Sequence, residues 1–197
     1  MKEYKEIKDI KIGNNNFNFR DPFLIEEQLT DEEIIVRNTT RKFAKKELSP
    51  LIVEANRYEK YDKSLFLKFG ELGLLGPQIS GYGCSGISNV GYGLIAKEIE
   101  AIDSSYRSSI SVQSSLVMQP IYDFGNQDQK KRWLPKLAEG RLIGCFGLTE
   151  PDHGSDPSSM KTNAKKTKGG YILNGAKNWI SNSPIADIFL IWAKDES

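Results

Sequence analysis

The sequence predicts an α+β protein: an all-helical amino-terminal domain followed by an incomplete antiparallel β-domain. Three observations carry that expectation. Capping signals recur ahead of apolar residues at helical spacing through the first 140 residues. From Arg141 the apolar runs become short and strand-like, beginning with LIGCFGLTE. Gly169-Gly170 and Asn174-Gly175 then separate further apolar runs, and Asn-Gly is a strong hairpin signal because both residues tolerate positive φ. The expected division is an arm over 1–29, a helical domain over 30–140 and the first part of a β-domain over 141–197.

The arm is polar and Asn-rich, with Phe19, Phe23 and Leu24 as its expected packing residues. Thr30 followed by Asp31, Glu32 and Glu33 reads as a capping box, and its acidic first turn suits the helix dipole. Ile35, Thr39, Phe43 and Ala44 extend that helix until Pro50 stops it. Helices follow over about 51–58 and 64–72, then the Gly-rich segment GLLGPQISGYGCSG reads as a loop. Ser88 and Asp103 read as N-caps of the next two helices, the second ending at Pro120. Asn126 with Gln129 repeats the capping box before KKRWLPKLAEG. Three strand-like runs after the first, TNAKK, GYILNGAKNWIS and ADIFLIWAK, complete the pattern. The last leaves a free apolar edge, so the isolated chain is expected to behave poorly.

Composition narrows the function classes. Lys+Arg 27 against Asp+Glu 26 gives +1 with no basic block, which argues against a nucleic-acid partner. No run approaches the roughly 20 apolar residues that span a bilayer, and the opening MKEYKEIKDIKIGNNN does not resemble a secretory or transit segment. The expected location is cytoplasmic, with a mitochondrial matrix location open. Cys84 and Cys145 have no Cys or His beside them, so neither zinc nor a disulfide framework is indicated.

Five candidates could carry chemistry. Gly81, Gly83 and Gly86 match G-x-G-x-x-G, but no strand precedes them, so a loop over a pocket is the better reading than a dinucleotide fingerprint. The segment from Phe146 to Asp156 sets Thr, Ser, Gly and Pro at a strand exit, which suits either a surface turn or a cofactor edge. His153, the one histidine, lacks an identifiable nucleophile and reads as exposed or supporting. Trp179 is either a hairpin core residue or a wall against a planar ring. Arg107 among Ser108, Ser109, Ser111 and Ser114 either pairs with Glu100 on a solvated face or clamps a ligand carboxylate.

CFGLTEPDHGSDPSSM and NGAKNWISNSPIAD closely resemble the two flavin motifs of acyl-CoA dehydrogenases, and the resemblance runs from about Asp21 to the last residue. GYGCSGIS, YRSSISVQSSLVM and LTEPDHGSDPSSM are most similar to the glutaryl-CoA type. The resemblance implies that Phe146, Leu148, Thr149, Gly154, Ser155, Trp179, Ile180 and Ser181 line an FAD, with Thr149 and Ser181 at the reactive ring. It implies that Ser155 also touches the pantetheine, and that Arg107, Ser108 and Ser111, backed by Glu100, hold the distal carboxylate of glutaryl-CoA. The implied reaction removes an α-proton, passes a β-hydride to the flavin and releases CO2 to give crotonyl-CoA, with electrons passed to an electron-transfer flavoprotein. Family members run to about twice this length, so the catalytic glutamate and a carboxyl-terminal helical bundle are expected in a missing second half. The chain alone is then inactive, and the complete protein is a homotetramer. A non-decarboxylating acyl-CoA dehydrogenase and a non-catalytic flavin-binding or interaction fragment stay open as alternatives.

Overall fold

Short-range hydrogen bonds decide where the helices begin. In the computed structural model, which describes residues 11–12, 15–16, 18 and 21–196, Thr30 accepts the N–H of Glu33 while the Glu33 carboxylate accepts the N–H of Thr30. The expected capping box therefore opens α1 (Asp31–Phe43). A cap of this kind stabilises a helix by about 1 kcal/mol. A wider π-helical turn (Ala44–Leu48) continues it up to Pro50. Then come α2 (Ile52–Arg57), α3 (Leu65–Glu71) and α4 (Asn89–Glu100), the last capped by Ser88 as expected. Asp103 caps α5 (Ser104–Ser111), and the Asn126–Gln129 capping box opens α7 (Gln127–Ala138).

Pro120 does not end the helix after Asp103. The chain passes from α5 through a π-helical stretch (Val112–Met118) into α6 (Gln119–Phe124), with Pro120 in the first turn of α6. Proline is excluded from a helix interior by its missing N–H and by its clash with the carbonyl four residues back. The π turn replaces that pairing: the N–H of Gln119 goes to the carbonyl of Ser114 five residues back.

The arm also differs from expectation. A two-residue antiparallel ladder joins β1 (Lys11–Ile12) to β2 (Asn15–Asn16). The Asp21 carboxylate accepts the N–H groups of Ile25 (2.9 Å) and Glu26 (2.8 Å), folding a local turn that leaves Phe23 and Leu24 exposed rather than packed. Phe19 lies outside the described residues.

The helical core is built from Leu48, Phe66, Phe69, Leu75, Ile99 and Leu137, all fully buried. Aromatic edges link it in a chain from Phe43 through Phe69, Phe66 and Tyr61 to Tyr106. Arg41 and the buried Glu98 form a two-pronged ion pair, both contacts 2.8 Å, that joins α1 to α4. At the end of α7, Gly140 takes φ +69° and closes against α3, where a Cβ would overlap the Phe66 carbonyl.

Five further residues carry the chain from α7 into β3 (Gly144–Gly147). β4 (Asn163–Thr167) and β5 (Gly170–Asn174) form the one antiparallel hairpin of this region, turning at Lys168-Gly169. The remaining pairs are parallel: β3 with β6 (Ile188–Ile191), Gly144 opposite Ile188, and β4 with β7 (Lys194–Asp195). The two-part α+β architecture holds, and the sheets are mixed rather than antiparallel throughout.

Asn174-Gly175 is not a hairpin turn. Gly175 takes φ +152° because its backbone passes against Thr162, where no Cβ fits, and residues beyond it run as irregular chain to Trp179. β6 pairs on one edge only among the described residues, and Phe189 and Trp192 stay exposed beside a concavity of about 490 Å³ lined by Pro120, Phe124 and Trp133. No helix among the described residues is long and apolar enough to cross a membrane.

Candidate active site

β3 delivers the chain into the turn from Leu148 to Ser155, and a buried carboxylate fixes that turn from below. Glu150, 4% exposed, accepts the N–H groups of Lys161 (2.6 Å) and Thr162 (2.9 Å) and pairs with Lys177 Nζ at 2.9 Å. The Lys161 N–H first, then the Thr162 and Lys177 contacts, hold the Glu150 carboxyl far below the usual carboxylate range, so it stays ionised at neutral pH. Lys177 Nζ also donates to the Leu148 carbonyl (3.0 Å), and the Asn178 N–H to the Thr149 carbonyl (2.9 Å). These bonds lash the 148–155 turn to the 175–181 segment. The two segments singled out in the sequence form one surface.

On that surface the candidate residues take different places. Phe146 is half-buried on β3 and meets Trp192 edge to face at 6.1 Å. Leu148 lines an apolar concavity of about 310 Å³ with Pro157, Met160 and Trp192. Gly154 and Ser155 are exposed at the tip, and a Cβ on Gly154 would meet nothing within 4 Å. Ile180 is half-buried. Trp179 is 86% exposed, held outward by a left-handed backbone (φ +59°) and by its N–H donating to Asn178 Oδ1. It is therefore not a hairpin core residue. His153 closes the turn through backbone bonds to Glu150, its imidazole half-exposed.

The exposed Trp179 indole leaves an aromatic face open for a planar ring to stack on. Thr149, Ser155 and Ser181, on the same two segments, carry hydroxyls that can donate and accept. An aromatic face, a side-chain-free approach at Gly154 and nearby hydroxyls fit a planar heterocycle with a polar edge, as an isoalloxazine has.

The arginine cluster lies along α5. Arg107 Nε donates to Glu100 Oε2 at 2.5 Å and Nη1 to Ser111 Oγ at 3.3 Å, while Nη2 takes no hydrogen bond among the described residues. Arg107 first, then Ser104, lowers the pKa of the Glu100 carboxyl. The serine density is explained by back-bonding: Ser109 and Ser111 donate to carbonyls four residues earlier, and the wider π turn begins at once after Ser111. Ser108 separates from its neighbours. Arg107 and Ser111 lie four residues apart on one face and line the α4–α5 seam with Tyr92, Ile95 and Ile99. Ser108, about 100° further round the helix, lines a second cavity of about 460 Å³ together with Ser181. The expected carboxylate-binding set is thus divided, and one of its members faces the flavin-motif serine.

Residues 30–141 match the acyl-CoA dehydrogenase N-terminal domain, and residues 145–197 match the acyl-CoA dehydrogenase middle domain. The chain belongs to the acyl-CoA dehydrogenase family. It is 39% identical over 166 residues to an acyl-CoA dehydrogenase of Bacillus subtilis, which covers 84% of this chain and 44% of that protein. Its fold is similar to a Mycobacterium smegmatis glutaryl-CoA dehydrogenase crystallised with FADH2, with TM-score 0.86 and 44% identity over 88% of this chain and 45% of that one. A chain in a structure of the electron transferring flavoprotein of Acidaminococcus fermentans also matches, with TM-score 0.80 and 36% identity over 84% of this chain and 44% of that one. The chain therefore spans less than half the length of these acyl-CoA dehydrogenase relatives.

Sequence reasoning missed the residues that hold this candidate site together. Glu150 and Lys177 look like surface charges in a turn and an irregular run, yet they form the buried clamp. Gln113 reads as one more polar residue in a serine-rich helix, yet it is fully buried and bridges α7, Leu142 and β3. No local pattern announces such partners, since each lies more than 20 residues away.

Proposed function

We propose that this chain is the cofactor- and substrate-contacting amino-terminal half of an FAD-dependent enzyme that oxidises and decarboxylates glutaryl-CoA, giving crotonyl-CoA and CO2. The observation that carries the choice of substrate is Arg107, braced by Glu100 and Ser111 with a donor to spare. A guanidinium held in this way suits a carboxylate at the far end of an acyl chain. The likeness to a glutaryl-CoA dehydrogenase supports the same choice.

FAD, when bound, supplies the acceptor for the β-hydride. In this reading Phe146, Leu148, Gly154 and Ile180 shape its seat, Trp179 covers a face of the ring, and Thr149 and Ser181 orient the reactive edge. Ser155 contacts the pantetheine of the thioester. Arg107 and Ser111 hold the distal carboxylate, while Ser108 faces the substrate from the adjoining face of α5. The resemblance to the family implies a glutamate base from the second half that longer members have; here Glu98, Glu100 and Glu150 are each engaged by a cation. Electrons would leave to an electron-transfer flavoprotein, and the match to a chain in such a protein's structure supports that partner. A cytoplasmic homotetramer completes the reading.

The test is flavin bleaching. The chain is expressed with and without a carboxyl-terminal half supplied from a relative, loaded with FAD, and mixed with glutaryl-CoA. Bleaching with both halves and not with the chain alone is the expected result. Folded, flavin-loaded two-half samples that glutaryl-CoA leaves unbleached would remove glutaryl-CoA as the substrate, and the dehydrogenase reading would fall as well if butyryl-CoA also left them unbleached.

A further inference from the structure

The cavity of about 460 Å³ is lined by three parts of the chain. Glu59 and Tyr61 come from the stretch between α2 and α3, Ser105, Ser108 and Ser109 from α5, and Ser181, Asn182, Pro184 and Ile185 from the segment before β6. Among the described residues, one hydrogen bond joins the α5 wall to the segment before β6: Asn182 Nδ2 donates to the Ser109 carbonyl at 3.3 Å. The same amide nitrogen donates to the Gly144 carbonyl on β3, also at 3.3 Å. One side chain thereby references the segment to the helix and to the first strand.

The backbone at Asn182 is shaped for this task. It lies in the left-handed region at φ +66°, which asparagine tolerates better than most side chains. The Ile185 N–H folds back onto the Asn182 carbonyl (3.0 Å) and the Ser183 N–H onto the Ile180 carbonyl (3.2 Å), so the turn that carries Ser181 is wound around this residue. Its acceptor on α5 lies where the helix widens into the π stretch: the Val112 N–H is shared between the Ser108 and Ser109 carbonyls.

We propose that Asn182 is a positioning residue that sets the width of this cavity, and with it the spacing between Ser108 and Ser181. The inference rests on the reading above in one respect: there Ser108 faces substrate and Ser181 faces flavin. A residue that fixes their separation couples the two ligands, because a wall drawn into place by one is already placed for the other.

Two variants test it. Asn182→Gly keeps the left-handed backbone free of strain and deletes both bonds. Asn182→Asp keeps size and backbone tolerance but sets a carboxylate against two carbonyl oxygens. Hydrogen exchange of the Ser183 and Ile185 amides is measured on the chain, together with FAD affinity with and without glutaryl-CoA. In both variants exchange at these amides accelerates about tenfold, the effect of losing bonds of this strength. Each ligand alone binds within about threefold of wild type, while the tightening of FAD by glutaryl-CoA disappears. Wild-type exchange in both variants overturns the proposal, and so does wild-type coupling in Asn182→Gly. If the wild-type chain binds no FAD, the flavin reading fails, and exchange alone decides: about tenfold acceleration sustains the positioning role and unchanged protection ends it.

Discussion

Replacing Arg107 by methionine in the assembled enzyme is expected to cut the preference for glutaryl-CoA over butyryl-CoA by about 10- to 150-fold, measured as the ratio of kcat/KM values. The range follows from a charge-assisted contact of about 1.5–3 kcal/mol between guanidinium and carboxylate. Methionine fills similar volume and leaves Glu100 with Ser104 as its remaining partner, so an anion faces the incoming carboxylate where a cation stood. Fold stability should barely move, because Arg107 and Glu100 form a part-exposed pair of the kind that contributes little. That separation of specificity from stability distinguishes a substrate contact from a structural one. An unchanged preference would remove Arg107 from the substrate site.

Gln113→Leu is expected to lower the melting midpoint of the chain by about 5–20 °C in a calorimetric scan. The Gln113 amide donates to the Leu137 and Leu142 carbonyls at 3.1 and 2.8 Å and accepts the Gly144 N–H at 2.7 Å. Leucine fits the volume but replaces none of these bonds; the Leu137 carbonyl keeps the Gly140 N–H, while the Leu142 carbonyl and the Gly144 N–H are left unsatisfied at about 1–3 kcal/mol each. Against a total stability of about 5–15 kcal/mol, a loss of about 2–6 kcal/mol is severe. The damage should begin at the junction of α7 and β3, since Gln113 is what ties that strand to the helical core. A shift under about 2 °C would mean that water or backbone movement replaces those bonds.

The helical half was legible because its signals are local. Thr30, Ser88, Asp103 and Asn126 each cap through a bond two or three residues away, so the sequence spells out both partners. Pro120 misled because the turn that admits it is built by the preceding π stretch, which no simple periodicity marks. The strands were less legible because parallel pairing joins distant residues: Gly144 and Ile188 stand 44 positions apart. Asn174-Gly175 carried a true backbone signal for which the structure has another use, the close approach to Thr162.

The motif resemblance singled out two segments that are joined in the structure, and Glu150 with Lys177 shows why they meet. The division of the arginine cluster along α5 is helical geometry. Its consequence for Ser108 depends on Ser181, 73 residues away, which no reading of the helix alone supplies.

The central claim is that the turn from Leu148 to Ser155 and the segment from Trp179 to Ser181 form one flavin-contacting surface. Hydrogen exchange of the chain with and without FAD tests it most directly. The account predicts slowed exchange in both segments together and quenching of the exposed Trp179 fluorescence, with the Gly81–Gly86 loop unaffected. Bound FAD that protects the glycine-rich loop, or only one of the two segments, would contradict it.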